Sequence, residues 1–339
     1  MSNFTDAIVK LLQRLDLSAQ EMRDCVGGIM DGQWTAAEIA SLLTALRMKG
    51  EAVGEIVGAA QAMQERAVSV TSDKTGLLDT CGTGGDKLHT FNISTATAIV
   101  AAALGIPVAK HGNRSVSSSS GSADVLEALG VKVDVPVATV TKCLDEIGIG
   151  FCFAPLMHGA MKHAAPIRRT LGFPTIFNLL GPLTNPARAE FQLLGASRNA
   201  TAEILAAAVA QLKRSRALVV CGNNELDEVS LWGTTLAWEV RGEEISQHEW
   251  TAASFGVDEC SADDLRVESA EESAQVIQEI FAAEPGPHRD VVIANAAAAL
   301  LAVGKTEDPL EAATTAAKAI DSRAAELVLA KLVAMTNAI

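Results

Sequence analysis

Leu77-Leu78-Asp79-Thr80-Cys81-Gly82-Thr83-Gly84-Gly85-Asp86 reads as a short buried strand running into a glycine-rich turn. A helical pattern opens just beyond it, at Asn92-Ile93-Ser94-Thr95, and continues to about Leu104. Glycines placed after a strand let the main chain approach a ligand and aim N–H groups at it. Asn92 or Ser94 caps the helix, whose N-terminus carries the positive end of the helix dipole and favours phosphate. The turn is neither GxGxxG nor a Walker A sequence, so by itself it is a weak signal.

A second segment strengthens it. Lys110-His111-Gly112-Asn113-Arg114-Ser115-Val116-Ser117-Ser118 follows another short apolar run and combines two fixed cations, an amide and several hydroxyls. Lys offers a point charge, Arg a planar fork, and the hydroxyls and main-chain N–H groups offer neutral donors. Alone, the run is as compatible with a solvated Ser-rich loop as with an anion site. Two such loops, each following a strand and each leading into a helix, favour a phosphorylated ligand.

Outward from these loops, the first seventy residues carry only helical spacing, as in Ile8, Leu11, Leu12 and Leu15, or Ile39, Leu42, Leu43 and Leu46 after a cap at Thr35. Beyond Leu77, apolar runs at 77–80, 107–110, 132–135, 151–153, 192–194 and 217–221 predict strands. Helical patterns at 93–104, 122–129, 137–147 and 199–213 separate them, which implies parallel strands joined by crossover helices. A hairpin is expected from 229–232 and 236–240 about Gly233-Thr234-Thr235, and helix returns from about Ala270. The expected fold class is α/β: a small all-helical domain over 1–71 and a large α/β domain over 72–339 with a mostly parallel central sheet. Ligands of such sheets sit at the carboxyl ends of the strands, which places both loops on one edge.

Composition narrows the function. About half of the 339 residues are apolar (49%), Tyr is absent, and the formal charge is −14 with no block of Lys or Arg. An acidic chain without a basic stripe argues against nucleic acid and anionic membrane surfaces as partners. Residues 1–17 intersperse Asp6, Lys10, Arg14 and Asp16 among apolar positions, an amphipathic helix and not a signal peptide. The longest apolar runs are too short and Ala-rich to span a bilayer. Six scattered cysteines (25, 81, 143, 152, 221 and 260) without CxxC spacing suggest reduced thiols and a cytoplasmic protein. Cys81, beside the glycine turn, reads as a small filler rather than a nucleophile.

Asp227-Glu228 follows the run 217–221 and so also falls at a carboxyl end. Two adjacent loop carboxylates are usually just solvated. Facing the phosphate loops, they would be hard oxygen ligands for Mg²⁺, with Ser94 adding a hydroxyl. His158 and His163 are five apart, the wrong spacing for zinc on one helical face, and read as packing residues. One of Arg168 and Arg169 is expected to face the cleft as a carboxylate clamp, and spacing does not choose between them.

The chain resembles the anthranilate phosphoribosyltransferase family of the tryptophan pathway over essentially its whole length. The resemblance rests on GTGGD at 82–86, NIST at 92–95, KHGNRSVSS at 110–118, GSADVLEALG at 121–130, AMKHAAPIRRTLG and TIFNLLGPLTNPA within 160–187, and LDE at 226–228. It implies a nucleoside phosphorylase-type phosphoribosyltransferase fold, a homodimer, and a small domain joined by part of 160–187. It further implies that phosphoribosyl pyrophosphate (PRPP) is held by Gly82, Gly85, Asp86, Thr90, Asn92, Ile93, Ser94, Thr95, Lys110, His111, Gly112, Asn113, Arg114, Ser115, Val116, Ser117, Ser118 and Ser122. Anthranilate would meet Gly82, Asn113 and Arg168, while Ser94, Asp227 and Glu228 would hold two Mg²⁺ ions. No acid/base residue is implied. An aromatic amine is already nucleophilic at neutral pH, so positioning and preorganised charge suffice to expel pyrophosphate.

Ser119, Gly159, Pro174 and Asn224-Glu225 depart from the commoner family pattern, where Lys, Pro, Arg and Asp-Gly are frequent. None is a proposed ligand. Two alternatives share the scaffold: a pyrimidine nucleoside phosphorylase, and a non-catalytic nucleic-acid-binding relative. The complete KHGNRSVSS run and the LDE pair argue against the first, and the acidic charge against the second.

Overall fold

The computed structural model describes residues 4–115 and 120–338. Four helices come first: α1 (Phe4–Leu12), α2 (Ala19–Met30), α3 (Ala36–Lys49) and α4 (Val53–Glu65). Ser18 and Thr35 start α2 and α3 with reciprocal capping boxes to Glu21 and Glu38, which fixes where each helix begins. Gly58 of α4 lies so close to the main chain of Ala19 that a Cβ there would overlap it, and α2 and α4 pack tightly at that point. The apolar face of the bundle does not close on itself. It continues through Ala164, Ile176, Phe177 and Leu180 onto the helix Asn199–Gln211 and the sheet residues Leu194, Val219 and Trp238.

The sheet holds β1 (Leu78–Asp79), β2 (Val108–Gly112), β3 (Ile149–Phe153), β4 (Phe191–Gly195), β5 (Arg216–Gly222), β6 (Thr235–Arg241) and β7 (Glu244–Trp250) in the order β3-β2-β1-β4-β5-β6-β7. Pairing is parallel from β3 to β5 and antiparallel across β5-β6-β7. The second face is covered by α5 (Ile93–Ala103) and by helices Pro287–Ala302, Pro309–Asp321 and Ala324–Asn337, around a core rich in Ala, Val and Leu. Small side chains let these helices pack close to the sheet, which is how a chain so poor in aromatics fills its interior.

Two expectations fail. Residues 132–135 form no strand. Val131, Val133 and Val135 are buried in alternation, but the N–H of Lys132 donates to Thr336 Oγ1 at 3.2 Å instead of joining a ladder. The hairpin is also displaced: 229–232 is a buried irregular segment, and β6 pairs instead with the polar edge strand β7. Its two-residue turn places Gly242 at φ 63°, the left-handed geometry that a tight hairpin needs at its first position.

Candidate active site

β1 lies between β2 and β4, so the chain leaves it first to one side and later returns to the other. This is the switch point at which open parallel sheets bind ligands. The turn after β1 crosses the ends of β4 and β5: Thr83 N–H donates to Gly195 O at 2.9 Å and Gly84 N–H donates to Asp227 Oδ2 at 2.7 Å. Gly84 and Gly85 have φ of 68° and 81° and open space where a Cβ would stand. At Gly82 a Cβ would collide with the Asp227 carboxylate. Asp86 Oδ1 accepts from Leu88 N–H at 3.1 Å, and Thr90 forms an isolated antiparallel bridge with Arg266.

α5 begins beside this turn. Asn92, not Ser94, is its cap, and Asn92 Oδ1 accepts from Thr95 N–H at 3.2 Å. Ile93 and Thr95 turn their side chains inward, leaving the main-chain groups of the first turn and the half-buried Ser94 hydroxyl to meet a ligand. Lys110 at the end of β2 is buried, and its ammonium donates to Thr80 O at 2.8 Å and to Ser94 Oγ at 3.2 Å. Asp227 and Glu228, both half-buried, approach the same place. Burial raises both carboxyl pKa values, and the charge of Asp86 on Asp227, and of Asp227 on Glu228, raises them further. The Lys110 ammonium opposes this at Glu228. Carboxylates that crowd one another beside the Ser94 hydroxyl are a hard-oxygen donor set suited to a divalent cation.

The loop after β2 folds back onto the helix Ser122–Ala128. Asn113 O accepts from Ala123 N–H at 3.2 Å, Ser115 N–H donates to Asp124 Oδ2 at 2.9 Å, and Gly112 leaves no room for a Cβ against Ser122 and Phe151. Arg114 is half-exposed and engaged, with Nη1 3.1 Å from Asp124 and Nη2 2.8 Å from Glu127, over the Phe153 ring. Asn113 is exposed. Val116, Ser117 and Ser118 lie outside the described residues.

Arg168 and Arg169 part company. Arg169 is exposed, whereas Arg168 is half-buried over the Phe177 ring and donates to Asn178 Oδ1 at 3.2 Å. Burial lowers its pKa, and no carboxylate among the described residues pairs with it. Arg168 shares no direct contact with the carboxylate cluster. The two regions are joined through His111, whose Nδ1 lies 2.9 Å from Gly181 O.

Several residues here carry no signal in the sequence. Asp79, at the end of β1, is buried and accepts from His111 N–H at 3.0 Å and from Asn185 Nδ2 at 2.7 Å. Asn185 Nδ2 also reaches Ala109 O at 2.7 Å, so the two side chains lock the end of β2. Burial raises Asp79 to about 6 and lowers His111 to about 4. His111 also comes near Cys81, a neighbour that sequence could not assign, but it is held neutral and burial pushes the thiol up out of the thiolate range. Cys81 is therefore held as a thiol with no base poised to activate it.

Family models match both parts of the chain, one described as glycosyl transferase family, helical bundle domain (residues 5–67), the other as glycosyl transferase family, a/b domain (residues 74–326). The anthranilate phosphoribosyltransferase of Laribacter hongkongensis is 48% identical over 338 residues, covering 99% of each chain. That of Geotalea uraniireducens is 45% identical over 345 residues, 98% of this chain and 99% of its own. The chain belongs to the anthranilate phosphoribosyltransferase family. The crystal structure of the Thermus thermophilus member has a TM-score of 0.93 at 38% identity, covering 98% of this chain and 100% of that one. The Saccharomyces cerevisiae enzyme, solved in complex with PRPP and Mg, has a TM-score of 0.91 at 28% identity, covering 99% and 98%. With relatives of this identity and coverage carrying the transferase name, neither the phosphorylase nor the nucleic-acid-binding alternative is favoured.

Within the family, the departure at Asn224-Glu225 has a local explanation. Asn223 and Asn224 adopt φ of 48° and 54°, which Asn tolerates. Asn224 Oδ1 accepts from Asn199 N–H at 2.9 Å, and Glu225 accepts from Trp232 Nε1 at 2.7 Å. Gly159 faces open space, and Pro174 is exposed. All six cysteines are free, and among the described residues no helix is long and apolar enough to cross a membrane.

Proposed function

We propose that this chain transfers the phosphoribosyl group of PRPP to the amine of anthranilate, giving N-(5-phosphoribosyl)anthranilate and pyrophosphate in tryptophan biosynthesis. The observation that carries the reading is the meeting of the Gly82–Asp86 turn, the α5 N-terminus, Lys110 and the Asp227-Glu228 pair at one sheet edge. The phosphates of PRPP would be held by main-chain N–H groups of the turn and of α5, by the Lys110 ammonium, and by the hydroxyls and amide of the loop after β2. Arg114 would keep its carboxylate partners and stiffen that loop, or exchange them for phosphate oxygens. Arg168, a guanidinium without a carboxylate, suits the anthranilate carboxylate, with Gly82 and Asn113 completing the acceptor site. None of these groups removes a proton. They orient the amine against the anomeric carbon and stabilise the departing charge.

Ser94, Asp227 and Glu228 would hold two Mg²⁺ ions, and the crowding of their carboxylates with Asp86 supports that fit. Bound Mg²⁺ would neutralise the pyrophosphate leaving group. The helical unit would comprise 1–71 joined by part of 160–187, since α2 and α3 pack on residues 159–171. A homodimer is supported by the exposed side chains Val9, Leu12 and Leu15 at the end of α1 and Met48 on α3, joined by the Lys49–Asp16 ion pair at 2.6 Å. The free cysteines suit the cytoplasm.

The test mixes purified protein with anthranilate, PRPP and Mg²⁺ and follows the fall in anthranilate fluorescence, with an EDTA control. A Mg²⁺-dependent fall supports donor, acceptor and metal together. No fall in a folded protein that binds PRPP overturns the acceptor.

A further inference from the structure

Asn295 sits in the middle of the helix Pro287–Ala302, fully buried in a stretch, 291–302, that is buried throughout. An amide in such surroundings is costly unless it is fully hydrogen-bonded. Two of its three bonds go to one residue of a distant loop. Its Oδ1 accepts from Val229 N–H at 2.9 Å, and its Nδ2 donates to Val229 O at 3.0 Å and to Val291 O at 2.8 Å. The side chain therefore pairs with Val229 as a neighbouring strand would, and Val229 directly follows Glu228.

The acidic pair is gripped from the other sides as well. Gly195 lies flush against the Asp227 carbonyl, where any Cβ would overlap it. A Cβ on Gly222 would come within 2.8 Å of Glu228 O. Ser230 N–H is taken by Thr235 Oγ1 at 2.9 Å. This main-chain clamp also explains why 229–232 is not the strand that its apolar pattern suggests.

We propose that Asn295 is a positioning residue that fixes the main chain of Asp227-Glu228 so that both carboxylates face Ser94 and the glycine turn, raising divalent-cation affinity. The proposal rests on the metal reading given above. Loss of an outer residue that orients metal ligands typically lowers affinity by about 10–100-fold.

The experiment compares wild type, Asn295→Ala and Leu301→Ala, a cavity variant six residues further along the same helix whose side chain makes no hydrogen bond to Val229. Binding of Mn²⁺ alone is followed by loss of its free EPR signal, together with melting temperature and the KM for anthranilate. Both variants are expected to melt lower. Only Asn295→Ala should weaken Mn²⁺ binding by about tenfold or more, with little change in the anthranilate KM. If Asn295→Ala does not fold, Asn295→Ser is read in the same way. Unchanged Mn²⁺ affinity in a folded Asn295 variant, or equal weakening in Leu301→Ala, overturns the positioning role alone. A wild type that takes up no Mn²⁺ overturns the metal reading and this proposal with it.

Discussion

The main-chain N–H of Gly84 donates to Asp227 Oδ2 across 2.7 Å, although 143 positions separate the two residues. One carboxylate thus ties the glycine turn after β1 to the acidic loop after β5. Replacing it disturbs both the proposed metal ligands and the shape of the turn. The double variant Asp227→Ala/Glu228→Ala is expected to lose Mg²⁺-dependent turnover by at least about 10²–10³-fold. Steady-state rates across a Mg²⁺ titration test this, and near-wild-type turnover at any Mg²⁺ concentration sinks the assignment.

Arg168 lies over Phe177 with no acidic partner among the described residues, so its charge is available to a ligand carboxylate. Hydrogen bonds to charged groups contribute about 1.5–3 kcal/mol, or roughly 10–100-fold in affinity. Arg168→Ala should therefore raise the anthranilate KM by about that factor while shifting the PRPP KM by less than about threefold. Equal effects on both constants would count against the clamp.

The strands at the sheet centre were legible because parallel strands are buried on both faces and read as unbroken apolar runs. Thr35 was legible as a cap, and Asn92 as one of two candidates beside Ser94, because capping is local chemistry between residues three apart. β7 was not: as an exposed edge strand, Glu244-Ile245-Ser246-Gln247-His248-Glu249-Trp250 has no buried face to impose a pattern. The alternation at 131–135 is real burial, mistaken for pairing. Within the candidate site, the two loops stood out by composition, and the acidic pair only by its place after a strand. Asp79, Asn185 and Asn295 did not, because an Asp or Asn acquires such a role only from the distant main chain it meets.

Glu55 on α4 is fully buried and ties the end of α3 to the segments that precede α2 and α4. It accepts from Leu17 N–H at 2.9 Å, Ala52 N–H at 2.8 Å and Lys49 Nζ at 3.1 Å. Removing one partner of a buried ion pair costs up to about 3–5 kcal/mol. Lys49 keeps Asp16 at 2.6 Å, so the cost here comes chiefly from leaving the Leu17 and Ala52 N–H groups without their acceptor. Glu55→Ala should lose about that much stability, with Glu55→Gln losing less. Urea unfolding checks this, and a loss below about 1 kcal/mol for Glu55→Ala would mean that water takes over the carboxylate's hydrogen bonds.

His158 is buried beside His111, with ring centroids 5.1 Å apart, and neither of its ring nitrogens has a well-formed partner. Burial, then the neighbouring His111, lowers its pKa from 6.5 to about 3, opposed only by a main-chain contact at Thr184. In the unfolded chain His158 takes up a proton near pH 6.5, whereas the folded protein resists protonation down to about 3. Its contribution is therefore in place above pH 6.5 and is lost as pH falls toward 3. Between pH 7 and pH 5 the loss from this one group is about 2 kcal/mol. Asp79, raised to about 6, acts in the opposite sense over the lower part of that window, so the whole protein loses less than the two histidines alone would dictate. His158→Met removes one titrating group and keeps the volume. The difference in unfolding free energy between pH 7 and pH 5 should then move by about 2 kcal/mol in favour of pH 5 relative to wild type. An unchanged difference would mean that His158 reaches solvent and protonates in the folded state.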